Sequence, residues 1–117
     1  MMKRRHRLSR SRDFDTVYRH GRSTATRYLV LYSFPRADAN GDGPRLGLAV
    51  SRKLGGAVER NRLKRRLRAA FDSVVHGLPS DHDYVLIARP GLGEAADTRG
   101  FDWLEERVAE VFRKEGS

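Results

Sequence analysis

The alternation of apolar and polar positions divides the chain into segments that predict three helices and four strands. Apolar residues spaced three and four apart are typical of amphipathic helices, whereas alternation with a period of two is typical of strands. The predicted helices span residues 12–20, with Ser11 as the capping residue, about 57–75, and 101–114. The predicted strands span residues 21–26, 28–34, 45–51 and 83–89. Residues 35–44 and 90–96 are predicted to be loops, because proline and glycine interrupt both patterns there.

The apolar positions of each element predict which of its faces is buried. In the central helix they form one stripe, made of Leu63, Leu67, Ala70, Phe71 and Val74. In the last helix the inward residues are expected to be Phe101, Leu104, Val108, Val111 and Phe112. In the second strand, one face carries Tyr28, Val30, Tyr32 and Phe34, and the other carries Leu29, Leu31 and Ser33. The last strand is apolar at nearly every position, which indicates that both of its faces are covered.

The order of the elements, α-β-β-β-α-β-α, predicts an α+β sandwich of two layers. We expect a mixed four-stranded sheet, in which the central helix forms a parallel β-α-β crossover between the last two strands. At 117 residues the chain fits one domain over residues 1–117, with residues 1–10 as a flexible basic arm. No apolar run approaches the roughly 18 residues of a membrane span, and the absence of cysteine excludes disulfides and thiolate metal sites. A cytoplasmic location fits both observations.

The distribution of charge points to a class of partner. Lys and Arg total 24 against 15 Asp and Glu, for a net charge of +9. Residues 1–70 hold 19 basic and 5 acidic side chains, whereas residues 71–117 hold 5 basic and 10 acidic ones. A protein made basic only for solubility would mix the two signs over its surface. The segregation therefore predicts a surface that meets a polyanion, such as a nucleic acid.

The densest cluster of cations lies on the central helix and the turn before it. Residues 51–70 carry eight basic side chains and a single acidic one, Glu59. On a helical wheel, the side opposite the apolar stripe carries Asn61, Lys64, Arg65 and Arg68. A solvated structural helix would place acids four residues from its bases, and this helix does not. Asn61 fits either a contact to a nucleic-acid backbone or base edge, or an ordinary surface or capping position.

The segment from residue 51 to residue 68 reads SRKLGGAVERNRLKRRLR, and it resembles the signature of the bacterial ribonuclease P protein family. That signature runs from the end of a strand through a glycine turn into a helix that carries the RNR triplet. The resemblance extends over nearly the whole chain and is weakest in residues 35–44 and after Pro90. A lone RNR triplet is common in basic proteins, whereas the full string in a strand–turn–helix context is specific.

The resemblance implies a fold like that of ribosomal protein S5 domain 2 and a role as the RNA-binding subunit of ribonuclease P. This holoenzyme is an endoribonuclease that removes the 5′ leader from precursor tRNA by phosphodiester hydrolysis, and its catalytic site is expected in the RNA subunit. The protein is expected to bind the leader and to raise the affinity for substrate and for Mg²⁺. The implied cofactors are the catalytic RNA and Mg²⁺, which the RNA mainly holds. The implied partners are the catalytic RNA and precursor tRNA, with no membrane and no required protein oligomer.

The resemblance also assigns residues to two surfaces. The residues expected to contact the catalytic RNA are Arg52, Lys53, Arg60, Asn61, Arg62, Lys64, Arg65 and Arg68, together with Arg4, Arg5 and Arg7 of the basic arm. The residues expected to line a cleft for the single-stranded leader are Phe14, Tyr18 and Tyr32. Judged from the residues alone, these three rings also fit a core between helix and sheet, Phe14 most of all. No catalytic residue and no metal ligand is expected in the protein.

Two other functions remain as alternatives. The first is a stand-alone structural RNA-binding protein of the ribosomal type, and the second is a self-sufficient nuclease. A nuclease needs carboxylates or histidines arranged around Mg²⁺ or a proton in transfer. The only dense group is Asp81, His82 and Asp83, and we expect it to be a solvated turn. Trp103 is expected in or beside the core, and Arg89 fits either an RNA contact or a surface charge.

Overall fold

The structure of the chain is a computed structural model that describes residues 7–8, 10–35, 43–79 and 82–116. Its helices are α1 (Ser11–His20), α2 (Ala57–Asp72), α3 (Leu92–Arg99) and α4 (Phe101–Glu115). Its strands are β1 (Arg22–Ala25), β2 (Leu29–Pro35), β3 (Arg45–Ala49) and β4 (His82–Ala88). Short 3-10 turns at Arg52–Leu54 and Val75–Gly77 flank α2. None of the described helices is long and apolar enough to cross a membrane.

The four strands form one mixed sheet in the order β1-β2-β4-β3. β2 pairs antiparallel with both β1 and β4, whereas β3 pairs parallel with β4. α2 connects β3 to β4 and is therefore the helix of the parallel crossover. The predicted α+β class, mixed four-stranded sheet and crossover are confirmed.

One face of the sheet is buried under α2 and α4. Leu29 and Leu31 of β2 belong to the same core cluster as Leu67 of α2 and Val108 of α4, and all four are fully buried. Each such side chain contributes about 1.5–3 kcal/mol of hydrophobic free energy relative to an exposed one. The alternation predicted for β2 and the apolar stripe predicted for α2 are both confirmed. The sheet and these two helices form the predicted two layers.

The helix α1 lies on the opposite face of the sheet and covers only part of it. Its Val17 is fully buried and forms a second core cluster with Leu8 and Val85. α1 approaches β3 closely at Gly47, where a Cβ atom would lie 2.5 Å from Cζ of Phe14. The ring of Phe14 therefore rests on the backbone of β3, and a side chain at position 47 would displace it.

Two predictions in the C-terminal part of the chain are wrong. The expected loop over residues 90–96 is instead largely helical, since α3 begins at Leu92. Leu92 and Ala96, four positions apart, are buried and hold this short helix against the core, but two apolar residues are too few to show a helical period in the sequence. Phe101, expected to point inward, is 40% exposed, because it occupies the first position of α4 ahead of the buried stripe.

The end of the predicted flexible arm is part of the sheet. The backbone N–H of Leu8 donates to the carbonyl of Leu46 at 2.8 Å, and Arg7 bridges to Leu46 in parallel orientation beside β3. Leu8 is buried, so the prediction of a flexible arm is wrong for residues 7–8, while residues 1–6 and 9 lie outside the described residues. The predicted cap is also wrong, because Ser11 is the first residue of α1 and Arg10 occupies the capping position without a side-chain hydrogen bond.

His82 and Asp83 are the first residues of β4, and Asp83 is buried, so the prediction of a solvated turn is wrong for both. Arg45 donates from Nε to Oδ1 of Asp83 at 2.8 Å and from Nη2 to Oδ2 at 2.7 Å. The two residues face each other across the parallel pair of β3 and β4, where the planar guanidinium matches both carboxylate oxygens. Asp83 therefore joins two strands, and Asp81 lies outside the described residues.

Candidate nucleic-acid interface

The outward side of α2 forms one open depression with basic walls. Its volume is about 500 Å³, and it is lined by Val58, Asn61, Lys64, Arg65 and Arg68. These residues, here called the basic helix face, lie opposite the buried side chains of Leu63 and Leu67, as the helical period predicts. None of the five lining side chains is acidic. A cationic surface without internal acids attracts the phosphates of a nucleic acid and displaces their counterions.

The turn before α2 determines how the helix begins. The hydroxyl of Ser51 accepts a hydrogen bond from the backbone N–H of Lys53 at 3.3 Å. Gly55 has a φ of 133°, a conformation that residues with a side chain rarely adopt. Nε of Arg60 donates to the carbonyl of Gly55 at 3.2 Å and so fastens the first turn of the helix to this glycine. Arg52 and Lys53 therefore lie exposed next to the N-terminus of the helix, whose free amides also attract phosphate.

The residues predicted to contact RNA differ in their exposure. The exposed ones are Arg52, Lys53, Asn61, Arg62 and Arg65, and the half-buried ones are Arg60, Lys64 and Arg68. Arg66, which the wheel places on the flank of the helix, donates to Oδ1 of Asp97 at 2.8 Å and thereby connects α2 to α3. Arg4 and Arg5 of the predicted arm lie outside the described residues.

Arg7 extends the basic helix face toward the edge of the sheet. Burial of the Arg68 side chain, followed by the nearby charge of Arg7, lowers the pKa of the Arg68 guanidinium from its ordinary value. The two cations therefore repel each other although they are 61 positions apart in the sequence. A phosphate placed between them would relieve this repulsion. Arg7 is brought there by its pairing with β3, which the sequence pattern did not indicate.

The three aromatic side chains predicted to line a cleft are brought together between α1 and β2. The ring centroids of Phe14 and Tyr18 lie 6.4 Å apart, and those of Tyr18 and Tyr32 lie 5.1 Å apart with the rings edge to face. Tyr18 is 38% exposed, whereas Phe14 and Tyr32 are half-buried. Burial, then the neighbouring Tyr32 and Asp15, raises the pKa of the Tyr18 hydroxyl, which stays protonated at neutral pH. This aromatic cluster is partly core and partly open surface.

The sheet beside the aromatic cluster provides a partly open apolar floor. Val30 of β2 pairs with Ile87 of β4, which pairs in turn with Ala49 of β3, so the three form one row across the sheet. All three are half-buried on the face that α1 covers only in part. Apolar side chains next to exposed aromatic rings can accommodate unstacked bases. The alternation in β2 placed Val30 beside Tyr32, but the alignment with Ile87 depends on the register of the sheet.

Two residues whose roles the sequence left open act on the β1–β2 connection. Arg89 donates from Nη1 to the carbonyl of Thr26 at 2.8 Å, and its backbone N–H donates to the carbonyl of Tyr28 at 2.9 Å. Trp103 packs edge to face on Tyr28, with ring centroids 5.0 Å apart, at the border of the core. The expectation that Trp103 is a packing residue is confirmed, and Arg89 holds the connection in place while remaining exposed.

Residues 2–115 of the chain match the protein family described as Ribonuclease P. Among curated relatives, the ribonuclease P protein component of Bacillus pumilus is 39% identical over 113 residues, which cover 97% of this chain and 90% of the relative. The corresponding protein component of one Bacillus cereus strain is 35% identical over 115 residues, covering 98% and 95%.

Solved structures of RNase P proteins share the fold of this chain. The RNase P protein of Thermotoga maritima superimposes with a TM-score of 0.79 at 31% identity, covering 90% of this chain and 93% of that one. The Staphylococcus aureus RNase P protein, in a mutant form with defective mRNA degradation activity, superimposes with a TM-score of 0.78 at 30% identity, covering 92% and 86%. Sequence and structure therefore agree on one family.

Proposed function

The chain belongs to the ribonuclease P protein family, and we propose that it binds a catalytic RNA through α2 and the 5′ leader of precursor tRNA through the aromatic cluster. As a ribonuclease P protein component, it has a role in tRNA processing together with the RNA of that ribonucleoprotein. The single observation that carries the proposal is the basic helix face, on which Asn61, Lys64, Arg65 and Arg68 share one open depression.

Binding of the catalytic RNA would use the basic helix face together with Arg52, Lys53 and Arg7. The guanidinium groups can each hold two phosphate oxygens, and Asn61 can donate and accept hydrogen bonds at once. Each phosphate neutralised steepens the dependence of log affinity on log salt by about 0.7–0.9. A steep loss of affinity with salt is therefore expected.

Binding of the leader would use the aromatic cluster and the apolar row beside it. A base stacked on an aromatic side chain contributes about 1–3 kcal/mol of binding free energy. Tyr18 and Tyr32 offer such surfaces with a hydroxyl at the rim, and both lie on the side of the sheet facing away from α4. The leader and the catalytic RNA would thus be held on different surfaces of one small domain.

Catalysis would take place in the RNA, with this chain acting on affinity. Within the described residues, no three His, Asp or Glu side chains are grouped so that they could hold a metal ion. We assign Mg²⁺ to the RNA and its substrate, and the protein residues would bind and orient the leader beside it. A cytoplasmic location and a single protein subunit complete the proposal.

The decisive experiment is a cleavage assay on precursor tRNA that carries a 5′ leader. Protein, catalytic RNA and both together are incubated with substrate at low Mg²⁺ concentration. We expect cleavage only with both components, at the junction between the leader and the 5′ end of the mature tRNA. Cleavage by the protein alone would show a nuclease, and equal rates with and without the protein would leave a structural RNA-binding protein.

A further inference from the structure

A second basic groove lies between the β1–β2 connection and α4. It has a volume of about 480 Å³, and four cations and two aromatic rings define it: Arg27, Arg99, Arg107, Lys114, Tyr28 and Trp103. Trp103 borders the core under α2 and α4, so this α4 groove opens on the other side of the sheet from the aromatic cluster. It shares no residue with the basic helix face.

The aromatic rings hold the guanidinium groups of the α4 groove in place. Trp103 and Tyr28 contact each other edge to face, at 5.0 Å between centroids. Arg27 lies 5.3 Å from the centroid of Tyr28, and Arg99 and Arg107 lie 5.6 Å and 5.7 Å from that of Trp103. A guanidinium over a ring is attracted by it and loses side-chain freedom before any ligand binds. The groove is therefore preorganised for an anionic or planar ligand.

The positive charge of the α4 groove is an exception in its part of the chain. Residues 71–117 have twice as many acidic as basic side chains, yet three of their five basic residues line this groove. One acid, Glu110, lines it as well and forms an ion pair with Arg107, with Oε1 at 3.8 Å from Nε.

The neighbouring acids have partners outside the α4 groove. Asp97 accepts from Arg66 at 2.8 Å, and Glu106 accepts from Arg113 at 2.8 Å. Glu115 accepts from the hydroxyl of Ser33 at 2.7 Å. Four cations and one carboxylate, that of Glu110, line the groove, and one of the cations, Lys114, also donates to the carbonyl of Ala25 at 2.8 Å. Positive charge is therefore in excess in the groove, although the helix that forms its wall is rich in acids.

We propose that the α4 groove binds a further segment of RNA, whose phosphates contact Arg27, Arg99 and Lys114 and whose exposed base stacks on the guanidinium of Arg99 or Arg107. Planar guanidinium groups fixed on aromatic rings suit this combination of phosphate and base, whereas acidic side chains have no aromatic face to stack on them. The inference rests on the proposed function only in taking RNA as the ligand. The segment would come either from the catalytic RNA or from the body of precursor tRNA, since both present the same chemistry.

The only tryptophan of the chain, Trp103, lies within the α4 groove and reports on it directly. In a titration of the full-length protein with RNA, we expect a saturable change of Trp103 emission. The substitutions R27Q/R99Q remove two exposed cations without entering the core, and should shift the midpoint to higher RNA concentration. They should also reduce the slope of log affinity against log salt by about 1.4–1.8, the value for two lost phosphate contacts.

The matched control is R12Q/R19Q, which removes two exposed arginines from α1, outside the groove. Its slope and midpoint should stay close to those of the wild type. Separate titrations with catalytic RNA and with leaderless tRNA identify which RNA occupies the groove. A saturable change of Trp103 emission with either RNA supports the proposal. Poly-glutamate of equal charge serves as the acidic peptide.

Three results would overturn the proposal. The first is an unchanged emission of Trp103 at saturating RNA, and the second is an equal effect of R27Q/R99Q and R12Q/R19Q on the salt slope. The third is binding of poly-glutamate in the groove as tight as that of RNA. The substitutions R65Q/R68Q in the basic helix face separate this failure from that of the proposed function. If R65Q/R68Q weaken RNA binding while R27Q/R99Q do not, only the proposal for the α4 groove is refuted. If the wild type binds neither RNA, the proposed function itself is refuted.

Discussion

Replacing Gly47 with alanine is expected to destabilise the contact between α1 and the sheet. A Cβ atom at this position would lie 2.5 Å from Cζ and 2.8 Å from Cε1 of Phe14. Carbon atoms in ordinary contact are about 3.5–4.0 Å apart, so the ring would have to move by roughly 1 Å. Cβ of Leu8, at 3.2 Å from the same point, restricts the space on the other side.

The change in the free energy of unfolding caused by Gly47→Ala results from two opposing effects. Adding a methyl group to a packed core costs about 1–3 kcal/mol. Replacing glycine by alanine also restricts the unfolded chain, which offsets this by about 0.4–1 kcal/mol. We therefore expect the free energy of unfolding to fall by about 1–2 kcal/mol. For a domain of this size, the melting temperature falls by about 4 °C or more for each kcal/mol.

Urea unfolding followed by circular dichroism measures this change, with Gly77→Ala as the matched control. A Cβ atom at position 77 would meet no other atom within 4 Å, so this variant should be at least as stable as the wild type. In a background that carries Phe14→Leu, Gly47→Ala should cost less, because the smaller side chain can yield. Equal stability of the Gly47→Ala and Gly77→Ala variants, or an equal cost of Gly47→Ala in both backgrounds, would refute the packing argument.

Three further predictions concern the two proposed RNA surfaces and the strand pair. The substitutions R65Q/R68Q should reduce the slope of log affinity against log salt for the catalytic RNA by about 1.4–1.8, whatever the leader length. Filter binding at several salt concentrations measures this slope, and an unchanged slope would contradict the prediction. When several leader nucleotides are present, Tyr32→Ala should weaken binding of precursor tRNA by about 5- to 150-fold, the loss expected for one stacked base. An equal loss of affinity for leaderless tRNA would contradict the proposal of a separate leader-binding surface. Asp83→Asn should lower the free energy of unfolding by about 1.5–3 kcal/mol, because the half-buried guanidinium of Arg45 loses the buried carboxylate that accepts two of its hydrogen bonds. Urea unfolding of this variant should show the deficit, and a double variant with two apolar residues should recover much of it.

Much of the fold was predictable because its signals are local. The stripe of Leu63, Leu67 and Phe71 and the alternation in β2 repeat within a few residues, so each element and its buried face follow from spacing alone. α3 was missed because its stability comes from contacts of Leu92 and Ala96 with distant parts of the core. Tertiary packing can stabilise a helix that has no pattern of its own.

The candidate site divides in the same way. The basic helix face was predictable because all its residues lie within a few turns of one helix, and the family signature falls on the same segment. The grouping of Tyr18 with Tyr32 needed the packing of α1 on the sheet. The helical wheel placed Arg66 on the flank of the helix, but its pairing with Asp97 of α3 depends on the packing of two helices and needed the tertiary structure.

The sequence by itself determined that this chain has a cationic helix, an apolar stripe behind it and a partner that is a polyanion, since charge and period are properties of contiguous residues. The tertiary structure alone decided what lies next to what over long separations. It brought Arg7 to Arg68, set Phe14 on Gly47, and gathered the cations of the α4 groove from residues 27 to 114. The physical reason is that strand register and helix packing depend on the sum of many weak contacts, which no short stretch of sequence contains.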